Sequence, residues 1–367
     1  MKPRVLFLGP VPPPFMGPSL ATVVILNSRL REEFELIHLD TSDPRELDTL
    51  GAFDFQNVCL ALKFYLQMFV AIVRHRPALV YIPVAQTTLG YLKDSGFILI
   101  AKLLGRRVLC HLRGGNFGNW LAGASAATRA YVKVVHGMVD GQIVLGECLR
   151  GLFTPIMAAD RIHVVTNGKD IAYELTPPRS GKLRVLYLGN MIRTKGVLDA
   201  LHATPAIHSA CTDVEFLFGG GWEDPAVKAE VESFLAANPQ LPIRWLGLIK
   251  GSEKNQAIAS ADIFLFPTYY PPEGHPWVVV EAMAAGLPVI STDQGAIVES
   301  VVDGVNGYIV PKRDPAAIAA RTIALARDEK LRKAMGSASL RLYREKFTEE
   351  RMVENMARAF RAVLARR

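Results

Sequence analysis

The sequence predicts an α/β protein of two doubly wound parallel-sheet domains facing a cleft, with a C-terminal helix returning to the first domain. Three observations predict it. Short runs that are apolar throughout alternate with segments of helical length, which is the pattern of parallel strands covered on both faces. The alternation breaks at 171–182 (IAYELTPPRSGK), with its Pro-Pro and Ser-Gly pairs, and then restarts. The 367 residues suit two or three domains at about 150 residues each.

In chain order, the strand-like runs of the first half are RVLFLG (4–9), FELIHL (34–39), ALVYIP (78–83), RVLCHL (107–112), QIVL (142–145) and HVV (163–165). Helical segments between them include 19–31, 58–74 and 126–138. After the linker come LRVLYLG (183–189), VEFLFG (214–219), IRWLG (243–247), DIFLFP (262–267), LPVIST (287–292) and GYIV (307–310). A helix is expected to start near Gly196, and further helices at 315–327, 329–343 and 349–365. In the last of these Met352, Met356, Phe360 and Val363 form one apolar stripe. The domains are drawn at 1–172 and 173–345, with the closing helix, 346–367, packing back on the first. Ligands of such sheets sit beyond the carboxyl ends of the strands, so two facing sheets would hold a substrate in the cleft between them.

Composition narrows the class. Hydrophobic residues make up 50% and charged residues 21%, which excludes a disordered chain. The net charge is +7, from 42 basic against 35 acidic residues. The excess is concentrated. Residues 56–170 carry 13 basic and 5 acidic side chains, a net of +8, just after an acidic run from Glu32 to Asp54, and the last 27 residues add a net of +4. An anionic partner such as a phosphate or a membrane face accounts for this, and so does an ordinary solvated surface. The density is far below that of an arginine-rich tail, and no nucleic-acid partner is expected. The four cysteines, Cys59, Cys110, Cys148 and Cys211, form no CxxC pair, so neither a zinc site nor a disulfide framework is indicated and a reducing cytosol fits. The N-terminal apolar run is too short for a signal peptide. The most membrane-like stretch, 58–73 (VCLALKFYLQMFVAIV), contains Lys63 and Gln67 and falls short of the roughly 20 residues a span requires. A buried helix is its ordinary reading, and a helix lying on a membrane surface is the sharper one.

Four loops carry candidate chemistry. The first strand runs into GPVPPPFMGPSLAT (9–22), where Pro12 to Pro14 stiffen the loop and Gly17 lets backbone approach a ligand at a helix start. There is no GxGxxG and no GxxxxGK[ST], so neither a nicotinamide dinucleotide site nor a P-loop is supported. The fourth strand ends in HLRGGNFGNW (111–120). His111 and Arg113 point to one face there, suited to an anionic or polyhydroxylated ligand; a buried, hydrogen-bonded His111 is the alternative. In LYLGNMIRTKGVLDAL (186–201), Arg193 and Lys195 precede a helix, so point charge and helix dipole add toward a pyrophosphate. GGGW (219–222), with Gly220 at its centre, leaves room for a flat base or a sugar ring.

The strongest signal is DIFLFPTYYPPEGHPWVVVEAMAAGLPVIST (262–292). A Pro-rich loop delivers Glu273; Gly274, His275, Pro276 and Trp277 follow; a helix then carries Glu281. The two carboxylates are eight positions apart, so they are placed to hold two hydroxylated parts of one elongated ligand rather than to act as an adjacent acid/base pair. The amides from Gly274 to Trp277 can hold phosphate between them. A nucleotide sugar has this layout of hexose, pyrophosphate and ribose.

This segment resembles the Glu-x7-Glu motif of glycosyltransferase family 4, retaining enzymes with the two-Rossmann B-type fold. EGxPxxxxEAMAxGxPVI carries the resemblance. GxxxxxKG at 189–196, Asn167–Gly168 and DGVNGYIV at 303–310 support it, and it extends over nearly the whole chain. The resemblance implies that the first domain takes the acceptor and the second the donor. It implies that Glu281 binds ribose hydroxyls, that Glu273 binds the donor sugar, that Lys195 stabilises the leaving diphosphate, and that Gly17 lies near the phosphate and acceptor. No metal or other cofactor is needed, because protein cations neutralise the leaving group. Two positions depart from the family. Asn190 stands where members usually have Arg, with Arg193 as the substitute charge, and Arg113 stands where members often have His, with His111 as the substitute imidazole.

The implied function is a retaining hexosyltransferase, moving sugar from a nucleotide-diphosphate sugar to a saccharide or lipid-linked saccharide in surface polysaccharide or glycolipid synthesis. The competing readings are a nucleotide-sugar epimerase or hydrolase on the same fold, and a non-catalytic scaffold on membranes. The expected location is the cytoplasm, with peripheral association at the inner face of the membrane as the place where a lipid-linked acceptor is met.

Overall fold

Val5, Leu6, Phe7 and Leu8 are all buried, so the first strand, β1 (Arg4–Gly9), is covered on both faces, as its unbroken apolar run requires. The computed structural model describes residues 2–13, 17–42, 55–173 and 181–366. Pro14, the acidic residues between 43 and 54, and residues 174–180 of the expected linker lie outside these. The chain divides into two compact units, Met1–Lys169 with Glu349–Arg367, and Asp170–Thr348.

In the first unit β1 is followed by α1 (Gly17–Asn27), α2 (Leu30–Glu33), β2 (Glu35–Asp40), α3 (Phe55–His75), β3 (Leu79–Val84), α4 (Thr88–Leu103), β4 (Arg107–Leu112), α5 (Phe117–Gly123), α6 (Ala126–Gly137), β5 (Gly141–Val144) and β6 (Ile162–Val164). All pairs are parallel, in the order β2-β1-β3-β4-β5-β6. Val5 faces Leu36 on one side and Leu79 on the other. The order reverses between β1 and β3, so the loops leaving those two strands diverge and open a crevice at the carboxyl edge.

The second unit contains β7 (Leu183–Leu188), α7 (Val197–Ala210), β8 (Val214–Gly219), α8 (Pro225–Ala237), β9 (Ile243–Gly247), α9 (Gly251–Ala259), β10 (Ile263–Phe266), α10 (Trp277–Ala284), β11 (Val289–Ser291), β12 (Gly307–Ile309), α11 (Pro315–Arg327) and α12 (Glu329–Lys346). Its sheet is also parallel, ordered β12-β11-β10-β7-β8-β9, and reverses between β7 and β10. Both sheets are thus doubly wound and Rossmann-like. Helix starts follow local chemistry. Asp224, Asp314 and Asp328 each accept a backbone N–H of the first turn, and Pro225 and Pro315 occupy the first helical position, where a missing N–H costs nothing.

The closing helix, α13 (Glu349–Ala365), belongs to the first unit. Its stripe of Met352, Met356, Phe360 and Val363 is fully buried, the Phe360 ring meeting Phe34 edge-on at 5.2 Å. Arg107 donates to the Val363 carbonyl, and Arg366 pairs with Asp160 at 2.6 Å.

The structure corrects one expectation about this unit. The stretch 58–73 is not a buried helix. Phe64, Met68 and Ile72 of α3 pack inward, while Leu62, Leu66, Phe69, Val70 and Val73 on the far side are exposed. The sequence is apolar on both sides of the helix, but α3 packs against α4 and β1 and keeps its far side exposed.

Replacing Phe360 by Ala removes a fully buried ring at the joint between α13 and the first unit. An unfolding cost of about 3–5 kcal/mol is expected. Hydrogen exchange monitored unit by unit would show protection lost in the first unit and kept in the second.

Candidate active site

Lys195 and Glu273 leave the carboxyl ends of β7 and β10, the two strands that flank the reversal in the second sheet. They meet there: Lys195 Nζ lies 2.6 Å from Glu273 Oε2, with both side chains largely buried. Thr268 Oγ1 donates to the same oxygen at 3.3 Å. The ammonium also lies over the Tyr270 ring, 4.5 Å from its centre, so its environment is an aromatic wall as well as a carboxylate.

Backbone contacts fix this geometry. Arg193–Lys195 form a 3-10 turn. Tyr269 N donates to Thr194 O at 2.8 Å, and Tyr187 hydroxyl donates to Lys195 O at 3.2 Å. Gly196 then adopts φ +76, and a Cβ there would lie 2.2 Å from Pro267 O. Only glycine allows the two loops to approach this closely. Gly220 shows the same constraint toward Gly189 O, at 1.8 Å, and stitches the loop after β8 to the loop after β7.

Glu281 lies on α10, one helix beyond Glu273, and is 9% exposed. Its partner is Lys254 of α9, Nζ to Oε2 at 2.5 Å. Tyr173 is nearby: burial first, and then the Glu281 charge, push its phenol pKa up, and its buried hydroxyl has no hydrogen-bond partner among the described residues. Pro276 caps α10 and Trp277 begins it, so the amide-rich turn faces the same carboxyl edge. The Gly274 carbonyl is held by Ala296 N at 2.7 Å.

Three predicted residues have partners away from the Lys195–Glu273 pair. Arg193, like Lys195, is paired with a carboxylate, here Glu230 of α8 on the exposed surface. Asn190 donates to Glu223. The imidazole of His275 is turned into the core, Nε2 to Ser300 Oγ at 2.6 Å, beside Phe347. Each outcome depends on a partner tens of residues away, which local spacing does not reveal.

In the first unit His111 is 1% exposed, and its Nδ1 meets Tyr81 hydroxyl at 2.7 Å. Arg113 donates to that hydroxyl at 3.0 Å. The two side chains thus meet at the Tyr81 hydroxyl, with the imidazole buried in the core. Burial, then the Arg113 charge, hold the His111 pKa well down. Gly17 is the exposed first residue of α1. Among the described residues no group of three or more His, Cys, Asp or Glu side chains gathers as a metal cluster.

Lys254, Thr268, Tyr270, Glu223 and Tyr81 were not singled out in the sequence. Thr268 and Tyr270 follow β10 within four residues, so the carboxyl-end rule could have found them. Lys254 sits in the first turn of the helix after β9, where the same rule applies more loosely.

Residues 182–328 match the family model for glycosyl transferases group 1. That range covers most of the second unit and none of the first. Lys195, Lys254, Glu273 and Glu281 all lie within the matched range. A phosphatidyl-myo-inositol mannosyltransferase of Mycobacterium leprae is 31% identical over 57% of this chain and 56% of its own length. The chain thus spans little more than half the length of the curated relatives it matches. A glycosyltransferase of Rickettsia africae superimposes with a TM-score of 0.79 at 16% identity, covering 100% of both chains. Anabaena HepE in complex with UDP and glucose superimposes with a TM-score of 0.73 at 17% identity, over 98% of this chain and 100% of HepE. These two likenesses are of fold, and both extend over the first unit as well.

Burial pushes His275 down to about 3 and His136 of the first unit down to about 4. An unfolded histidine titrates near 6.5, so below that pH the unfolded chain takes up protons that the folded chain refuses. The stability from these neutral histidines is complete above about pH 6.5 and declines as pH falls toward 4, by roughly 1.4 kcal/mol per unit for each. Urea midpoints at several pH values should fall below 6.5; a flat profile there contradicts neutral burial.

Proposed function

We propose that the chain is a retaining, metal-independent glycosyltransferase of hexosyltransferase type. It moves a sugar from a nucleoside-diphosphate sugar to a saccharide or lipid-linked saccharide acceptor in polysaccharide or glycolipid synthesis. The second unit takes the donor and the first the acceptor, and the protein works in the cytoplasm, peripherally at an anionic membrane. The observation that carries the reading is the meeting of Lys195 and Glu273 at the reversal of the second sheet, with Glu281 one helix further on.

In this reading the donor lies along the carboxyl edge. Glu281, oriented by Lys254, accepts hydrogen bonds from ribose hydroxyls. The diphosphate takes Lys195 away from Glu273 and also meets the N-terminal amides of α7 and α10. Glu273, released from the ammonium, accepts from the sugar hydroxyls. The exchange keeps the ammonium paired throughout: with carboxylate when free, with phosphate when loaded. No side chain stands out as a covalent nucleophile. The chemistry assigned to the protein is therefore orientation and stabilisation of charge on the departing diphosphate, which also helps deprotonate the acceptor on the same face of the sugar.

A thermal-shift screen of UDP-, GDP- and ADP-sugars finds the donor, because a bound ligand raises the midpoint by mass action. With that donor, Lys195→Ala is expected to lower turnover by about 10²–10³. Turnover at wild-type level in that variant overturns the assignment. Transfer should survive EDTA, and NMR of the product should show the donor's anomeric configuration; loss with EDTA or inversion would correct those two parts alone.

A further inference from the structure

We propose that the outer face of α3, with the exposed leucines of α4 beside it, is a docking surface for an anionic lipid bilayer. Leu62, Leu66, Phe69 and Val73 recur at steps of four, three and four, forming one stripe on the side opposite the buried Phe64, Met68 and Ile72. Leu62 and Leu66 are 60% and 65% exposed. On α4, which packs against α3 through Tyr65 and Phe97 at 4.9 Å, Leu92 is 46% exposed. A stripe of this length turned to water has no stabilising role inside the unit, and contiguous exposed apolar surface marks an interaction site.

Charge selects the occupant. The sequence of α3 contains no Asp or Glu. The one acid of α4, Asp94, is 7% exposed and accepts from Ala85 N at 2.7 Å. Among the described residues, the exposed charges of α3 and of the α4 turn beside it are Lys63, Arg74 and Lys93, and Arg76 follows the end of α3 directly. Lys63 and Arg74 fall on the flank of the stripe, where long basic side chains reach lipid phosphates while the stripe enters the acyl boundary. Each basic residue near an anionic surface adds to the attraction, and salt weakens it.

The helix lies on the bilayer and does not cross it. Val58–His75 has the length and hydropathy of a span, yet Phe64, Met68 and Ile72 are part of the core of the first unit, and a spanning pose would strip them from it. This surface deepens the reading above by giving a lipid-linked acceptor a place to be met.

The test is flotation of the full chain with vesicles of phosphatidylcholine, alone or mixed with phosphatidylglycerol, at low and high salt. Wild type should float with the mixed vesicles, less so at high salt. The variant Leu62→Gln/Leu66→Gln/Phe69→Gln should lose about tenfold or more in bound fraction, and Lys63→Gln/Arg74→Gln should lose the salt-sensitive part. Nucleotide-induced thermal shift should stay at the wild-type value in both variants, which shows that they fold and keeps the docking claim separate from the donor site. Equal flotation of the apolar variant and wild type overturns the proposal. So does a wild type that ignores vesicles but runs as a dimer that the apolar variant splits, because the face then pairs two copies of this chain.

Discussion

Parallel strands cannot be joined by a tight turn, and everything else in this molecule follows from that constraint. Each strand must be followed by a crossover, so helices cover both faces of each sheet and the strands become apolar throughout. With the faces closed, polar chemistry is left to the carboxyl edge. Where the winding reverses, at β1/β3 and at β7/β10, neighbouring loops part and the edge opens. Lys195 and Glu273 hold opposite sides of the second opening, 78 residues apart in the chain and 2.6 Å apart in space.

That pair also explains why the site is built from close backbone approaches. A cation and a carboxylate that are largely buried must be well placed to offset their desolvation. Gly196 against Pro267, Tyr269 against Thr194 and Tyr187 against Lys195 O supply the placement. The same logic recurs one step outward, where Lys254 holds Glu281. Arg193, by contrast, is paired on an exposed surface, where an ion pair is weak.

How much of this was legible in the sequence depends on whether the signal is local. The strands were, because burial on both faces writes an unbroken apolar run, as in RVLFLG and VEFLFG. So was the stripe of α13, whose period is helical. Glu273, Glu281 and Lys195 were legible through the motif, and the fold places two of them together. What the sequence could not convey was partnership at a distance. Nothing near Arg193 announces Glu230, nothing near His275 announces Ser300, and Lys254 is a single lysine on an ordinary helix. The apolar content of α3 was plain, but composition does not say which side of a helix finds a partner. The sequence therefore left a buried helix and a surface helix both open, and the outer stripe proved to be exposed.

The central claim is that Glu273 occupies Lys195 until a diphosphate displaces it. Calorimetric binding of the bare nucleoside diphosphate to wild type and to Glu273→Gln tests this most directly. The neutral amide holds the ammonium less strongly, so the account predicts tighter binding of the diphosphate to the variant. Weaker binding to Glu273→Gln would contradict the account, because Glu273 would then be supporting the diphosphate site rather than competing for its lysine.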